Sequence, residues 1–132
     1  MRDRLVILLA VGILMSAPVS AHHGSAAFDN GKVVILKGTV AQWVYSNPHC
    51  LLTIDVKGED GTVVRWITET QAPNIMYPAG YRKDSFKVGD EVTVNAEPVK
   101  NGLPVGRIRE VVLADGTTLG GIGSVPIPPK GK

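Results

Sequence analysis

Turn dipeptides cut most of this chain into short apolar runs, and that punctuation limits its folds more than any other feature. Asn30-Gly31, Asn47-Pro48, Asp60-Gly61, Gly89-Asp90, Asn101-Gly102 and Asp115-Gly116 recur along the sequence. Between them stand β-branched residues in alternation, the pattern of half-buried strands joined by tight turns. The spacing predicts strands over 33–45, 49–56, 62–70, 91–97 and 105–113, with a short extension over 117–119. In the first, Val34, Leu36, Gly38, Val40 and Val44 are expected on one face, with Lys37, Thr39 and Trp43 on the other. A glycine in mid-strand, Gly38, marks a bulge or sharp bend. In the second, Cys50, Leu52, Ile54 and Val56 oppose His49, Leu51, Thr53 and Asp55. In the third, Val64, Trp66 and Thr68 oppose Arg65, Ile67 and Glu69.

The strand rhythm breaks once, at Pro73. Proline suits a first helical position, and Pro78 and Gly80 follow closely, so 73–77 reads as a helix of one or two turns. Three strands, a short helix and two strands give an all-β chain, a small OB-like five-stranded barrel with its helix between strands 3 and 4. A five- or six-stranded sandwich is the competing architecture.

The first 21 residues are of a different kind. Arg2 and Arg4 precede an unbroken apolar run, Leu5 to Met15, and then Ser16-Ala17-Pro18-Val19-Ser20-Ala21. That is the three-part layout of a secretory signal peptide, cut between Ala21 and His22. The run is too short for the roughly 20 residues of a bilayer-spanning helix. The expected organisation is therefore a signal peptide over 1–21, one barrel domain over 22–119 and a Gly/Pro-rich disordered tail over 120–132. The expected location is the periplasm or the medium, with no membrane span in the mature protein. The formal charge is +2 over the whole chain and +1 without the leader, which removes two arginines and one aspartate. Near-neutrality and export both argue against a nucleic-acid partner.

Cleavage at that point would leave a free α-amine beside the imidazoles of His22 and His23. The only other histidine is His49, in the turn Asn47-Pro48-His49. An N-terminal histidine chelates through its amine and ring, and a further imidazole completes a set of nitrogen donors that suits Cu(II). His22, His23 and His49 are thus the candidate metal ligands, and copper the candidate cofactor. The alternative is a polar chain start and a turn histidine bonded to backbone. Cys50 and Met76 are soft donors, but alternation turns the Cys50 thiol away from His49, and Met76 sits among core-type residues. Glu69 is an oxygen donor or an ion-pair partner for Arg65. No nucleophile–base–acid set and no phosphate loop occurs, so the expectation is binding without catalysis. A second functional reading is an adaptor that docks a periplasmic protein, peptide or glycan on a patch of Trp43, Tyr45, His49, Arg65 and Ile67.

The paired histidines after the leader, Leu36-Lys37-Gly38-Thr39-Val40, Asn47-Pro48-His49 and Ala114-Asp115-Gly116 resemble a family of small exported bacterial proteins catalogued as a domain of unknown function. The resemblance covers nearly the whole mature chain and implies a small exported β-barrel, with no activity attached. Gly24 intervenes here where family members often follow the histidine pair directly with serine.

Overall fold

The first strand sets the curvature of the molecule. A computed structural model describes residues 24–121 of the protein. Strand β1 (Val34–Val44) pairs with β4 (Glu91–Pro98) along its first half and with β2 (Leu51–Lys57) along its second. The handover occurs at Gly38 and Thr39, where β2 crosses so closely that a Cβ on Gly38 would lie 2.7 Å from the Asp55 carbonyl oxygen. Glycine is needed there for close approach of two backbones.

The irregularity itself comes three residues later than the glycine. Val40 pairs with Ile54 but Gln42 with Thr53, so Ala41 is an extra residue in the strand. A bulge reverses the alternation beyond it. Trp43 therefore turns inward, opposite the fully buried Leu52, and Val44 turns outward. This corrects the expectation that Val44 faces in and Trp43 out.

Strand β3 (Val63–Glu69) pairs antiparallel with β2, and α1 (Pro73–Met76) follows with proline in its first turn. Strand β5 (Val105–Leu113) pairs antiparallel with β4 and, over Val105–Arg107, parallel with β3. That last pairing closes the wall: the fold is all-β, a closed five-strand barrel with one short helix between β3 and β4. A sixth strand, β6 (Thr118–Gly120), extends the sheet along β5.

Leu36, Val40, Leu52, Ile54, Val94, Ala96, Ile108 and Val111 fill the interior, each 6 % exposed or less. Burying a large apolar side chain is worth about 1.5–3 kcal/mol, and a chain with one cysteine has no disulfide to add to that. One end of the barrel is stoppered by rings. Trp43 meets Phe86 edge-on at 4.8 Å between centroids, with Tyr81 and Tyr45 close by. Their polar atoms are satisfied: the Trp43 indole donates to the Arg82 carbonyl at 3.0 Å, and the Tyr81 hydroxyl to that of Leu119 at 3.3 Å. Met76, at the end of the helix, and Ala79 just beyond it are buried in the same core cluster. Among the described residues no helix is long and apolar enough to cross a membrane.

Candidate functional site

Asn47-Pro48, a cis peptide, leads into His49 at the mouth of the β2–β3 ladder. Pairing continues past the ends of both strands, with Thr70 N–H donating to the Cys50 carbonyl and Cys50 N–H to that of Gln71, both at 3.0 Å. The Thr70 carbonyl is left pointing toward β2, and the imidazole of His49 fills the place, its Nδ1 at 2.9 Å. A carbonyl only accepts, so Nδ1 must carry the proton. In the neutral ring Nε2 then holds the lone pair, and the ring is fixed in orientation. Ligating histidines are typically held by this same backbone contact. The contact is the one that the alternative reading of His49, a turn histidine bonded to backbone, calls for.

Cys50 is next in sequence and on the other side of the wall. Its side chain is fully buried with those of Leu52 and Ile54. Burial pushes the thiol's pKa up, a shift only partly offset by hydrogen bonds from Thr70 and the Ser46 backbone. Met76 is buried as well, so both candidate sulfur donors belong to the core.

Glu69 ends β3, paired with Leu51 of β2 and with Arg107 of β5. Thr68 and Thr70 on either side of it are buried, so Glu69 stands on the outer face, as does His49 two residues before Leu51. Arg65, the partner expected for Glu69, is taken by Asp55 in a two-point pair at 2.8 and 2.9 Å. That pair holds the Asp55 carboxyl below its usual range. Glu69 has interactions of its own.

On β4 and β5 the same outer face carries a charge hub not foreseen from the sequence. Glu97, whose side chain is 3 % exposed, accepts from Arg107 Nε at 3.0 Å and pairs with Arg109 at 3.1 Å. The start of the described chain covers it. Phe28 bridges to Val99, its ring lies 4.9 Å beneath the Arg107 guanidinium, and Asn30 Oδ1 accepts from Arg107 at 2.9 Å. A cavity of about 480 Å³ opens between the ends of β3 and β6, lined by Thr70, Gln71, Met76, Arg107, Ile108 and Arg109. The signal for the hub lay in the spacing of Arg107 and Arg109, two residues apart on one strand face. What buries it is the N-terminal segment, which local patterning does not reach.

Residues 11–108 match a family of unknown function, DUF6152. The chain belongs to the DUF6152 family. No curated protein and no solved structure matches it. The DUF6152 match begins inside the apolar run over 5–15 and spans His22, His23, His49 and Glu69, ending within β5. It brings family membership without an activity.

Of the three predicted ligands in this DUF6152 chain, His49 is described, while His22 and His23 lie outside the described residues. Among the described residues no three His, Cys, Asp or Glu side chains are grouped to hold a metal ion. The docking patch is depleted: Trp43 and Tyr45 are turned into the ring cluster, with the Tyr45 hydroxyl 3.2 Å from the carbonyls of Pro73 and Tyr81. His49, Arg65 and Ile67 remain on the outer face.

Proposed function

We propose that this DUF6152 protein is exported, matures at His22 and binds a metal ion without catalysing a reaction, the ion being Cu(II) by donor type. The observation that carries the proposal is the bond from His49 Nδ1 to the Thr70 carbonyl. It holds one imidazole still on the outer face, with its lone pair on Nε2, as a metal requires. One imidazole is not a site, so the remaining donors must come from elsewhere in the chain.

The mature N-terminus is the proposed source of them. The Phe28 ring lies against the Arg107 guanidinium, the Arg107 position is opposite Glu69 in the β3–β5 ladder, and Glu69 adjoins the residue whose carbonyl holds His49. The six residues from His22 to Phe28 span at most about 20 Å when extended. The His22 amine and ring and the His23 ring are nitrogen donors, and nitrogen-rich tetragonal sets favour Cu(II) among divalent first-row ions. The amine titrates near pH 7.7–8.0, so binding at neutral pH releases a proton.

The test is a Cu(II) titration of the protein recovered from the periplasm, with its N-terminus read by mass spectrometry. A mature end at His22 and a stoichiometric site weakened at least about 10-fold by His49→Ala are expected. Affinity unchanged in His49→Ala would reduce the binding to a terminal chelate. A mature end at another residue would remove the amine donor.

A further inference from the structure

We infer that the free edge of β3 over Val63–Arg65 docks a second copy of this chain. The two edges pair as antiparallel strands about a two-fold axis at Val64. This goes beyond the metal-binding reading and does not depend on it. Strand β3 has a neighbour on both sides for only part of its length. On one side β2 runs along all of it, whereas on the other β5 begins at Val105, opposite Ile67. The Ile67 N–H donates to the Pro104 carbonyl at 3.0 Å, so Ile67 turns its backbone groups away from β2. Alternation gives those of Arg65 and Val63 the same direction. Among the described residues no strand pairs with these two on that side. Two N–H and two C=O groups therefore stand in a row at an open edge.

Open edges are commonly guarded by a lysine, a proline or a bulge. This one has none of them: Val63-Val64-Arg65-Trp66 is regular in register and β-branched or aromatic at all but Arg65. Arg65 is tied to Asp55 of its own sheet. Apolar surface flanks the unpaired backbone, with Val63, Val64, Ile67 and Leu103 all exposed. The edge is its own complement. With Val64 opposite the second copy's Val64, each Val63 faces the other copy's Arg65, and the free groups of both copies close four hydrogen bonds. Charge selects this register. Each guanidinium lies opposite a valine, and Asp55 neutralises it. An axis centred on Arg65 would set two guanidinium groups face to face and would call on Ile67, whose N–H is already bound. With its one charge paired, the edge has no side-chain handle to select a foreign peptide, whereas it satisfies a copy of itself in full.

The experiment follows the protein as recovered from cells, from micromolar to millimolar concentration, by analytical ultracentrifugation and by amide hydrogen exchange read by NMR. A concentration-dependent dimer is expected. Exchange at Val63 and Arg65 should slow at least about 10-fold on concentrating, with Ile67 little changed. Val63→Pro removes two of the four bonds and spares the β2 ladder, while Val64→Lys sets two lysines face to face. Each should weaken dimerisation at least about 10-fold. Val64→Cys is expected to form a disulfide-linked dimer under mild oxidation, since Cα atoms opposed in a non-hydrogen-bonded pair are about 4.5 Å apart. Ile35→Cys, exposed on β1, should not, and the native Cys50 is buried. A monomer at every concentration, or a dimer unweakened by both Val63→Pro and Val64→Lys, would overturn the proposal. So would Val64→Cys linking no faster than Ile35→Cys. Slow exchange at Val63 and Arg65 in the dilute monomer would overturn it too, because the edge would then be covered within one copy. Circular dichroism of the proline and lysine variants, expected to match wild type, separates lost pairing from lost folding.

Discussion

His49 and Cys50 are neighbours in sequence and stand on opposite sides of one barrel wall. Inward from the β2–β3 pair are Cys50, Leu52, Ile54 and Thr68, all inaccessible to solvent, the Thr68 hydroxyl donating to the Leu52 carbonyl at 2.8 Å. Outward are His49, Leu51, Glu69 and Arg65, partly or fully in water. The inner set is chosen by volume and hydrogen-bond satisfaction, the outer set by charge and donor chemistry. Core packing and outward-facing chemistry are thus separable here residue by residue, although they share a backbone.

The largest expected contrast lies between two adjacent leucines. Leu52→Ala empties a buried site and should cost about 2–5 kcal/mol, whereas Leu51→Ala, on the outer face, should cost less than about 1 kcal/mol. Urea unfolding with an unchanged slope would measure both. Equal losses would mean that the outer face is covered in solution and that the separation is false.

Glu97 is the position where outer residues behave like inner ones. Facing outward by register, it is nonetheless enclosed by Arg107, Arg109 and the Phe28 segment. Glu97→Gln leaves two guanidinium groups without their counter-charge. It should destabilise by about 2–3 kcal/mol, below the usual figure for a buried pair because Arg109 is 60 % exposed. A loss within experimental error would place the hub among ordinary surface ion pairs, where Asp55 and Arg65 already belong.

Much of this division was legible in the sequence. Period-2 alternation gave β2 and β3 their faces, and the lone break at Pro73 gave the helix its place, so barrel order followed. Two things were not legible. The bulge at Ala41 has no residue signature: Gly38 attracts attention as the irregular position, yet it is glycine because Asp55 crosses over it, and the extra residue is an alanine. The burial of Glu97 depends on a segment some seventy residues earlier in the chain. For the site, the turn that fixes His49 was readable, while its bond to Thr70 depends on how the ladder frays past β3.

The bulge makes a smaller prediction that sharpens the inner and outer assignment. Trp43→Phe keeps the ring in the cluster but removes the indole donor from the Arg82 carbonyl. It should cost about 1 kcal/mol, while Val44→Thr should stay within about 0.5 kcal/mol. The reverse order of costs would restore the unbulged register.

The turns between the strands belong to neither face, and their effects should be smallest and confined to acid. Asp60 accepts from the Thr62 N–H at 2.9 Å and Asp115 from that of Thr117 at 2.8 Å. These backbone bonds hold both carboxyls below their ordinary value of 3.8. On acidification the unfolded chain takes up protons first, near 3.8, and the folded protein only at lower pH. Whatever these bonds contribute is fully present above the unfolded value and is lost as pH falls through the lowered folded one. Asn in place of Asp keeps an acceptor oxygen but has no proton to take up, so Asp60→Asn should flatten the decline of the urea midpoint between pH 5 and pH 2.5. An unchanged slope would mean that solvent screens the turn carboxylates completely.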